Sequence, residues 1–356
     1  MLVMTVCAGC MNAVTAPARF EPVTLPNDQQ VPRAVVYGNL MSLLPRYDAT
    51  PALEMFLYGP GDYGKTALRN PQGMALIGDR LLVCDQGRPD VVAIDLRTGR
   101  SLPLTNADHR PRCPVAVAAD EERVYVADTR SQCVAVYDPR GRLVEELTPS
   151  SGPVPANPAA GFRPASVLLH GGVLYAGNVG GRRVERYDLG ARRWLDPLVP
   201  PAESPRLIAP TGLAVAADGT LLIADGVQGH VRRVGPDGRW LEPIGRPGRR
   251  PGELVRPKQV AATPSGRIVV ADAGRQSLVV FDADGKLHLE VFGGNGPWPG
   301  FTLPAGVLAL PADRAAAWTL SPPADDYLLV SDELGGTPLT LVGLSLAPAG
   351  EVANAR

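Results

Sequence analysis

Residues 260–293 read VAATPSGRIVVADAGRQSLVVFDADGKLHLEVFG, and residues 213–245 read LAVAADGTLLIADGVQGHVRRVGPDGRWLEPIG. The two stretches share one grammar. An apolar run leads into a Gly turn and then a run that ends in Ala-Asp. A short loop, another apolar run, a second Gly turn and a last strand follow. Runs such as 268–272 (IVVAD) are short and rich in β-branched residues, which is strand chemistry. The dipeptides Asp218-Gly219, Asp237-Gly238 and Asp284-Gly285 are hairpin signals, because Gly takes a positive φ without steric cost. Each unit is therefore four short antiparallel strands. A sheet of this composition is apolar on both faces and cannot stand alone.

The same frame fits residues 74–102, 115–147 and 167–198. A proline opens each unit (Pro71, Pro114, Pro164, Pro210, Pro257 and Pro304), at spacings of 43 to 50 residues. The second run of each unit ends in Asp85, Asp128, Asn178, Asp225, Asp272 and Asp332. The last of these spacings is 60 residues, which predicts an insertion between Pro311 and Asp326 in the sixth unit. Stacking such units radially buries both faces of every sheet, so the expected fold is all-β: a six-bladed β-propeller of four-stranded antiparallel blades.

The sixth unit supplies only three strand-like runs before the chain turns to APAGEVANAR. An N-terminal strand is expected to complete the last blade and close the ring without a free edge. The stretch from Ala52, ALEMFLYGPGDYG, is similar to the fourth strands of other units and is assigned that role. The resulting division is a residual signal segment at 1–10, a Pro-rich extended tether at 11–50, the propeller at 51–346 and a tail at 347–356.

The repeat resembles the NHL family, through Pro210-TGLAV with Leu222-IADG and through Pro257-KQVAA with Val269-VADAG and Val279-VFDADG. The resemblance spans most of the chain. It is specific for fold and weak for function.

Composition narrows the function classes. The 356 residues carry 35 Lys+Arg against 36 Asp+Glu, a net charge of -1, so nothing neutralises a nucleic-acid backbone in bulk. Aromatic residues are 5%, too few for stacking platforms along a single strand. No nucleic-acid partner is expected. Gly 39 and Pro 37 suit many strands joined by tight turns. No run of eighteen apolar residues offers a membrane-spanning helix.

The segment MLVMTVCAGC at the N-terminus resembles the end of an export signal, and Val6-Cys7-Ala8-Gly9-Cys10 resembles the bacterial lipobox. It departs from that pattern at Cys7 and in lacking a basic region before it, so the true start is expected upstream. Cys10 is the expected lipidation site. The protein is then exported and held at the outer membrane or cell surface, or facing the periplasm, by a lipid anchor only. Cys84, Cys113 and Cys133 lack metal-site spacing. Cys84 reads as a small buried side chain, with one disulfide among the three left open.

Chemistry is sparse. His109, His170, His230 and His288 fall in different units and do not pair. The recurring Asp85, Asp128, Asn178, Asp225, Asp272 and Asp332 could be drawn as a ring of oxygen ligands, as in lactonase-type propellers. Their fixed position before a turn is explained by capping of backbone N–H groups. No catalytic residue, cofactor or metal is expected. Arg232, Arg233, Arg246, Arg249 and Arg250 form a candidate basic loop surface.

The leading expectation is a non-enzymatic binding or assembly module that presents its loops to a protein partner, such as a cytochrome or an envelope complex. One alternative is a lactonase- or lyase-type enzyme with a metal in the channel. Another is a structural accessory subunit of an extracellular multihaem cytochrome assembly.

Overall fold

The computed structural model describes residues 22–25, 34–44, 67–105, 109–149, 161–292, 298–311, 313–314, 318 and 323–345. Five sheets have four strands in sequential order, and a sixth has five strands. Blade one is β3 (Pro71–Ile77), β4 (Arg80–Asp85), β5 (Asp90–Asp95) and β6 (Ser101–Pro103). Blade two is β7 (Pro114–Ala119), β8 (Val124–Asp128), β9 (Cys133–Tyr137) and β10 (Leu143–Leu147). Blade three is β11 (Pro164–His170), β12 (Val173–Asn178), β13 (Arg183–Asp188) and β14 (Arg193–Leu198). Blade four is β15 (Pro210–Val215), β16 (Leu221–Asp225), β17 (His230–Val234) and β18 (Trp240–Ile244). Blade five is β19 (Pro257–Ala262), β20 (Ile268–Asp272), β21 (Ser277–Phe281) and β22 (Leu287–Val291). Blade six contains β23 (Pro304–Leu310), β24 (Asp326–Asp332) and β25 (Leu339–Leu344), so the extra residues fall between β23 and β24 as the 60-residue spacing predicts.

The first strands touch one another in turn, β3 to β7, β11, β15, β19 and β23, and β23 returns to β3. They line the axis. Their close approach leaves no room for a side chain at Gly73 or Gly212. A Cβ on Gly73 would lie 2.7 Å from the Cα of Ala116, and one on Gly212 would lie 2.7 Å from the Cα of Gln259.

Ring closure follows the expected plan but uses a different strand. The fourth strand of blade six is β2 (Ala34–Asn39), with β1 (Val23–Leu25) outside it. Both lie in the segment read as a tether, so that segment is in part propeller. The stretch from Ala52, to which sequence reading gave the role, falls outside the described residues. Chain similarity to other fourth strands pointed to the wrong place because β2 is unlike them: fourth strands elsewhere are half-exposed, whereas residues 34–38 are all buried. β2 pairs antiparallel with β25, Ala34 opposite Leu344 and Asn39 opposite Thr340, with a bulge at Tyr37. The Tyr37 ring lies over Gly343, where a Cβ would stand 2.8 Å from it. A short helix, α1 (Leu40–Leu43), follows, with Asn39 capping it by accepting from the Met41 N–H.

One apolar cluster fills each seam between neighbouring blades. Both faces of each sheet are thereby buried, as the composition of the repeat requires. The seam between blades three and four has the smallest cluster, built on Val184, Leu207, Leu213, Leu221, Ile223 and Val234. Arg232 is buried beside it, 4% exposed, with its guanidinium 5.2 Å from the Trp240 ring centre and Nη1 donating to the Pro205 carbonyl.

Candidate functional site

Antiparallel order puts two kinds of loop at each end of the barrel of blades. At one end lie the connections that enter from the preceding blade and the turns between second and third strands. At the other lie the hairpins joining first to second and third to fourth strands. The recurring acids belong to the first end, here termed the latch face.

Each acid ties an entering connection to the turn beside it. Asp225 accepts from the Ile208 and Ala209 N–H groups at 2.7 and 3.1 Å, and from those of Val227 and Gln228 at 3.2 and 3.1 Å. Asp272 does the same with Val255, Arg256, Gly274 and Arg275, and Asp332 with Thr302, Leu303, Leu334 and Gly335. Asp128 holds Arg112, Cys113, Arg130 and Ser131, and Asp85 holds Arg69, Asn70 and Gly87. These five carboxylates are at most 3% exposed. Buried N–H groups need acceptors, and a charged acceptor serves several at once.

Asn178 is the exception that the third unit required. Its Oδ1 accepts from Arg163 and Gly181, and its Nδ2 donates to Glu185 at 2.8 Å. Glu185 is 3% exposed and pairs with Arg183 at 2.6 Å. The amide supplies a hydrogen where a second carboxylate would meet Glu185 with like charge.

Around the axis on this face, the residue after each opening proline and the residue after each latch form the mouth. Most are neutral: Gln72, Val115, Ala165, Thr211 and Ala305 in the first column, Gln86, Thr129, Val179, Gly226 and Ala273 in the second. The hydroxyls of Thr129 and Thr211 bond the carbonyls of Pro164 and Pro257 in the next blade, at 2.6 and 3.0 Å. The charged members are Lys258 and Glu333, from blades five and six, and they form a salt bridge with side chains 21% and 13% exposed. Burial and the nearby Arg256 pull the Lys258 amine down to about 8. Sequence reading missed this pair. The signal was available in the aligned repeat, where each is the one ionisable residue in its column.

The basic residues singled out from sequence do not form one surface. Arg232 is a buried strand residue, a correction to its reading as a loop cation; its position in β17 faces the seam. Arg233 is on the same strand, with Nε donating to the Glu242 carbonyl at 2.7 Å. Arg246, Arg249 and Arg250 are exposed on the connection into blade five, and Arg246 pairs with Glu253 at 3.1 Å. Cys84, Cys113 and Cys133 are free thiols, and Cys84 is fully buried as expected. Gln86 Nε2 approaches the Cys113 sulfur at 3.5 Å. His230 begins β17 and His288 lies in β22; burial pulls the His230 imidazole down. Among the described residues no three His, Cys, Asp or Glu side chains gather as a metal site. A dication in the channel would need several oxygen ligands. The mouth offers one carboxylate, Glu333, already against an ammonium, so these residues do not fit such an ion. Cys10 lies outside the described residues, and among those described no helix is long and apolar enough to cross a membrane.

No family model and no curated protein matches the chain. Solved structures do. A protein of unknown function from Bacteroides thetaiotaomicron is 15% identical, with 80% of this chain and 73% of that one covered and a TM-score of 0.59. A gluconolactonase from Xanthomonas campestris is 16% identical over 79% and 88% of the two chains, TM-score 0.56. A chain of hydrazine synthase from Kuenenia stuttgartiensis is 16% identical over 82% and 100%, TM-score 0.52. At these identities the likeness carries the fold.

Proposed function

We propose that the chain is a non-enzymatic binding or assembly module, an NHL-type propeller held at the cell envelope through a lipid on Cys10, that offers its latch-face loops to a protein partner. The observation that carries this reading is the engagement of the recurring acids. Each latch carboxylate is buried and accepts three or more backbone N–H groups, which makes it a fastener of loops rather than a ligand facing the axis. Propellers similar to this one go by the names of a lactonase, a lyase and a hydrazine synthase, so the fold does not select among roles and the side chains must. A rigid ring that presents loops from all blades on one side suits a binding role.

The test is a thermal melt of the full chain with Ca²⁺ or Zn²⁺ and with chelator, beside Asp225→Ala and Asp272→Ala. The module reading expects melts that are indifferent to metal and lowered in both variants. A wild-type midpoint raised by metal, with variants that no longer respond, overturns it. Mass spectrometry of the protein from its own host tests the anchor: an unmodified Cys10 ends that part of the reading.

A second reading has one observation in its favour. Lys258 and Glu333 are a partly buried acid–base pair at the mouth, and such pairs mark active sites more often than chance. Under it, the mouth carries out proton transfer on a small substrate, as in lyase or lactonase chemistry. Conversion of a lactone that is abolished by Lys258→Met, with the fold intact, would favour it over the module.

A further inference from the structure

The protein is nearly neutral, with a net charge of -1, yet its charge is not evenly spread. The entering connections carry exposed Arg69, Arg112, Arg163, Arg206 and Arg256, and the adjoining turns carry exposed Arg130 and Arg182. The acids of this face do not answer them. The latch carboxylates are buried and hold backbone N–H groups. Asp90 is buried and paired with Arg110 at 3.2 Å, Glu290 with Arg275 at 2.6 Å, and Glu253 with Arg246. Among the described residues of this face Glu146 and Glu203 are the exposed carboxylates that remain. The opposite face mixes signs: exposed Asp79, Glu121, Asp218 and Asp284 stand among exposed Arg97, Arg140 and Arg193.

The most exposed large apolar side chains also belong to the latch face: Val199, Val227, Phe292 and Leu334, at 54, 65, 57 and 68%. Arginine around isolated apolar tips is the composition of a protein-binding surface, where arginine is enriched and lysine depleted. The geometry supplies an anchor point. A cleft of about 420 Å³ opens between the turn of blade three and the connection into blade four, lined by Arg182, Arg183, Arg206, Val199 and Pro200. Arg183 is turned inward to Glu185, which leaves Arg182 and Arg206 to face an incoming anion.

From this asymmetry we infer that the latch face docks an acidic protein segment, whose carboxylates engage Arg182 and Arg206 in this cleft and the arginines around the mouth. This rests on the module reading and names its partner's chemistry. A guanidinium presents a planar fork that matches a carboxylate with two parallel hydrogen bonds. Phosphate would match it too, but the other features of the face argue against the sources of phosphate. Stacking of bases needs exposed aromatic rings, and Phe292 is the one among the most exposed large side chains here. Insertion into lipid needs apolar groups gathered together, whereas the four tips come singly from blades three, four, five and six.

The experiment uses the full chain and three probes: a fluorescent oligoglutamate peptide, phosphatidylglycerol vesicles and a single-stranded oligonucleotide. Two variants of equal charge change are compared, Arg182→Glu/Arg206→Glu in the cleft and Arg97→Glu/Arg193→Glu on the opposite face. All four positions are exposed, so folding is retained, and a melt verifies it. The inference expects oligoglutamate binding that weakens with salt, falls roughly tenfold or more in the cleft variant and stays near wild type in the control. Equal loss in both variants overturns it, as does absence of peptide binding, or vesicle or oligonucleotide binding tighter than that of the peptide. None of these outcomes bears on metal response or substrate turnover, which decide the module reading itself.

Discussion

Ring closure by β2 can be tested to destruction, and the structure sets the scale. A chain beginning at residue 45 lacks β1, β2 and α1. It loses Val35, Val36, Tyr37 and Leu40, each at most 1% exposed. Fully burying a side chain of this size contributes ~1.5–3 kcal/mol, so the four together are worth about 6–12 kcal/mol. The loss also uncovers β25, whose six residues are all buried in the complete ring. Domains of this kind have a net stability of about 5–15 kcal/mol, so the truncated chain has little or nothing left. Urea unfolding followed by near-UV circular dichroism is expected to show one cooperative transition for the full chain and none for the truncated one. The bare edge of β25 should drive aggregation. A synthetic peptide of residues 30–44, added in trans, should restore the transition with a midpoint that rises with peptide concentration, because it binds only the folded ring. Replacing residues 50–63 by a Gly/Ser linker of equal length should cost much less. The closure would be refuted by a truncated chain that unfolds at the full-length midpoint, or by a linker replacement that costs as much as removal of β2.

Three further outcomes are expected. Asp225→Ala strands four backbone N–H groups at once, so it should cost about 2–4 kcal/mol rather than the ~1 kcal/mol of a single lost hydrogen bond, read from denaturant midpoints. Asn178→Asp sets two carboxylates against each other beside Arg183; it should destabilise by roughly 2–4 kcal/mol at neutral pH, recover on acidification as the pair takes up a proton, and be rescued by Glu185→Gln. Lys258 should titrate near pH 8 in the NMR spectrum of the reductively ¹³C-methylated protein. Because its amine falls from 10.5 to about 8 on folding, the native state binds fewer protons between those values; stability should rise with pH across that window, and Lys258→Met should flatten the rise.

The propeller was legible in the sequence because its grammar is local. Strand length, Asp-Gly turns and opening prolines recur in each unit, and a sheet apolar on both faces has few stable arrangements. The function of the acids was legible for the same reason, since an Asp before a turn caps whatever its position in the fold. Closure was legible as a need, from a sixth unit one strand short, but not as an address. The strand from Ala52 was chosen for likeness to fourth strands elsewhere. Those strands lie at blade rims and are half-exposed, whereas β2 is covered: Tyr37 reaches across to Tyr327, 6.1 Å between ring centres, and Leu40 follows it into the seam with blade one. A covered strand obeys a different pattern from an uncovered one, and repeat similarity misleads there.

Arginines were harder to judge from sequence because clustering along the chain is not clustering in space. Arg232 and Arg233 are adjacent, yet one is buried and the other bonds a neighbouring strand's carbonyl, because successive strand residues point to opposite faces. Arg69, Arg112, Arg163, Arg206 and Arg256 are far apart in the chain, yet each precedes an opening proline by no more than four residues and so reaches the same end of the ring. The informative comparison runs down the columns of the aligned blades, not along the chain. A column that is neutral in five blades and charged in one marks a place where symmetry was broken, as at Lys258 and Glu333. Arginines that recur within four residues before the opening proline in five blades mark a face. A ring of repeats that needed only to fold would have no cause to gather exposed arginines at one end while burying the acids of that end against backbone. The cost is self-repulsion across the mouth, and an anionic partner seated there relieves it.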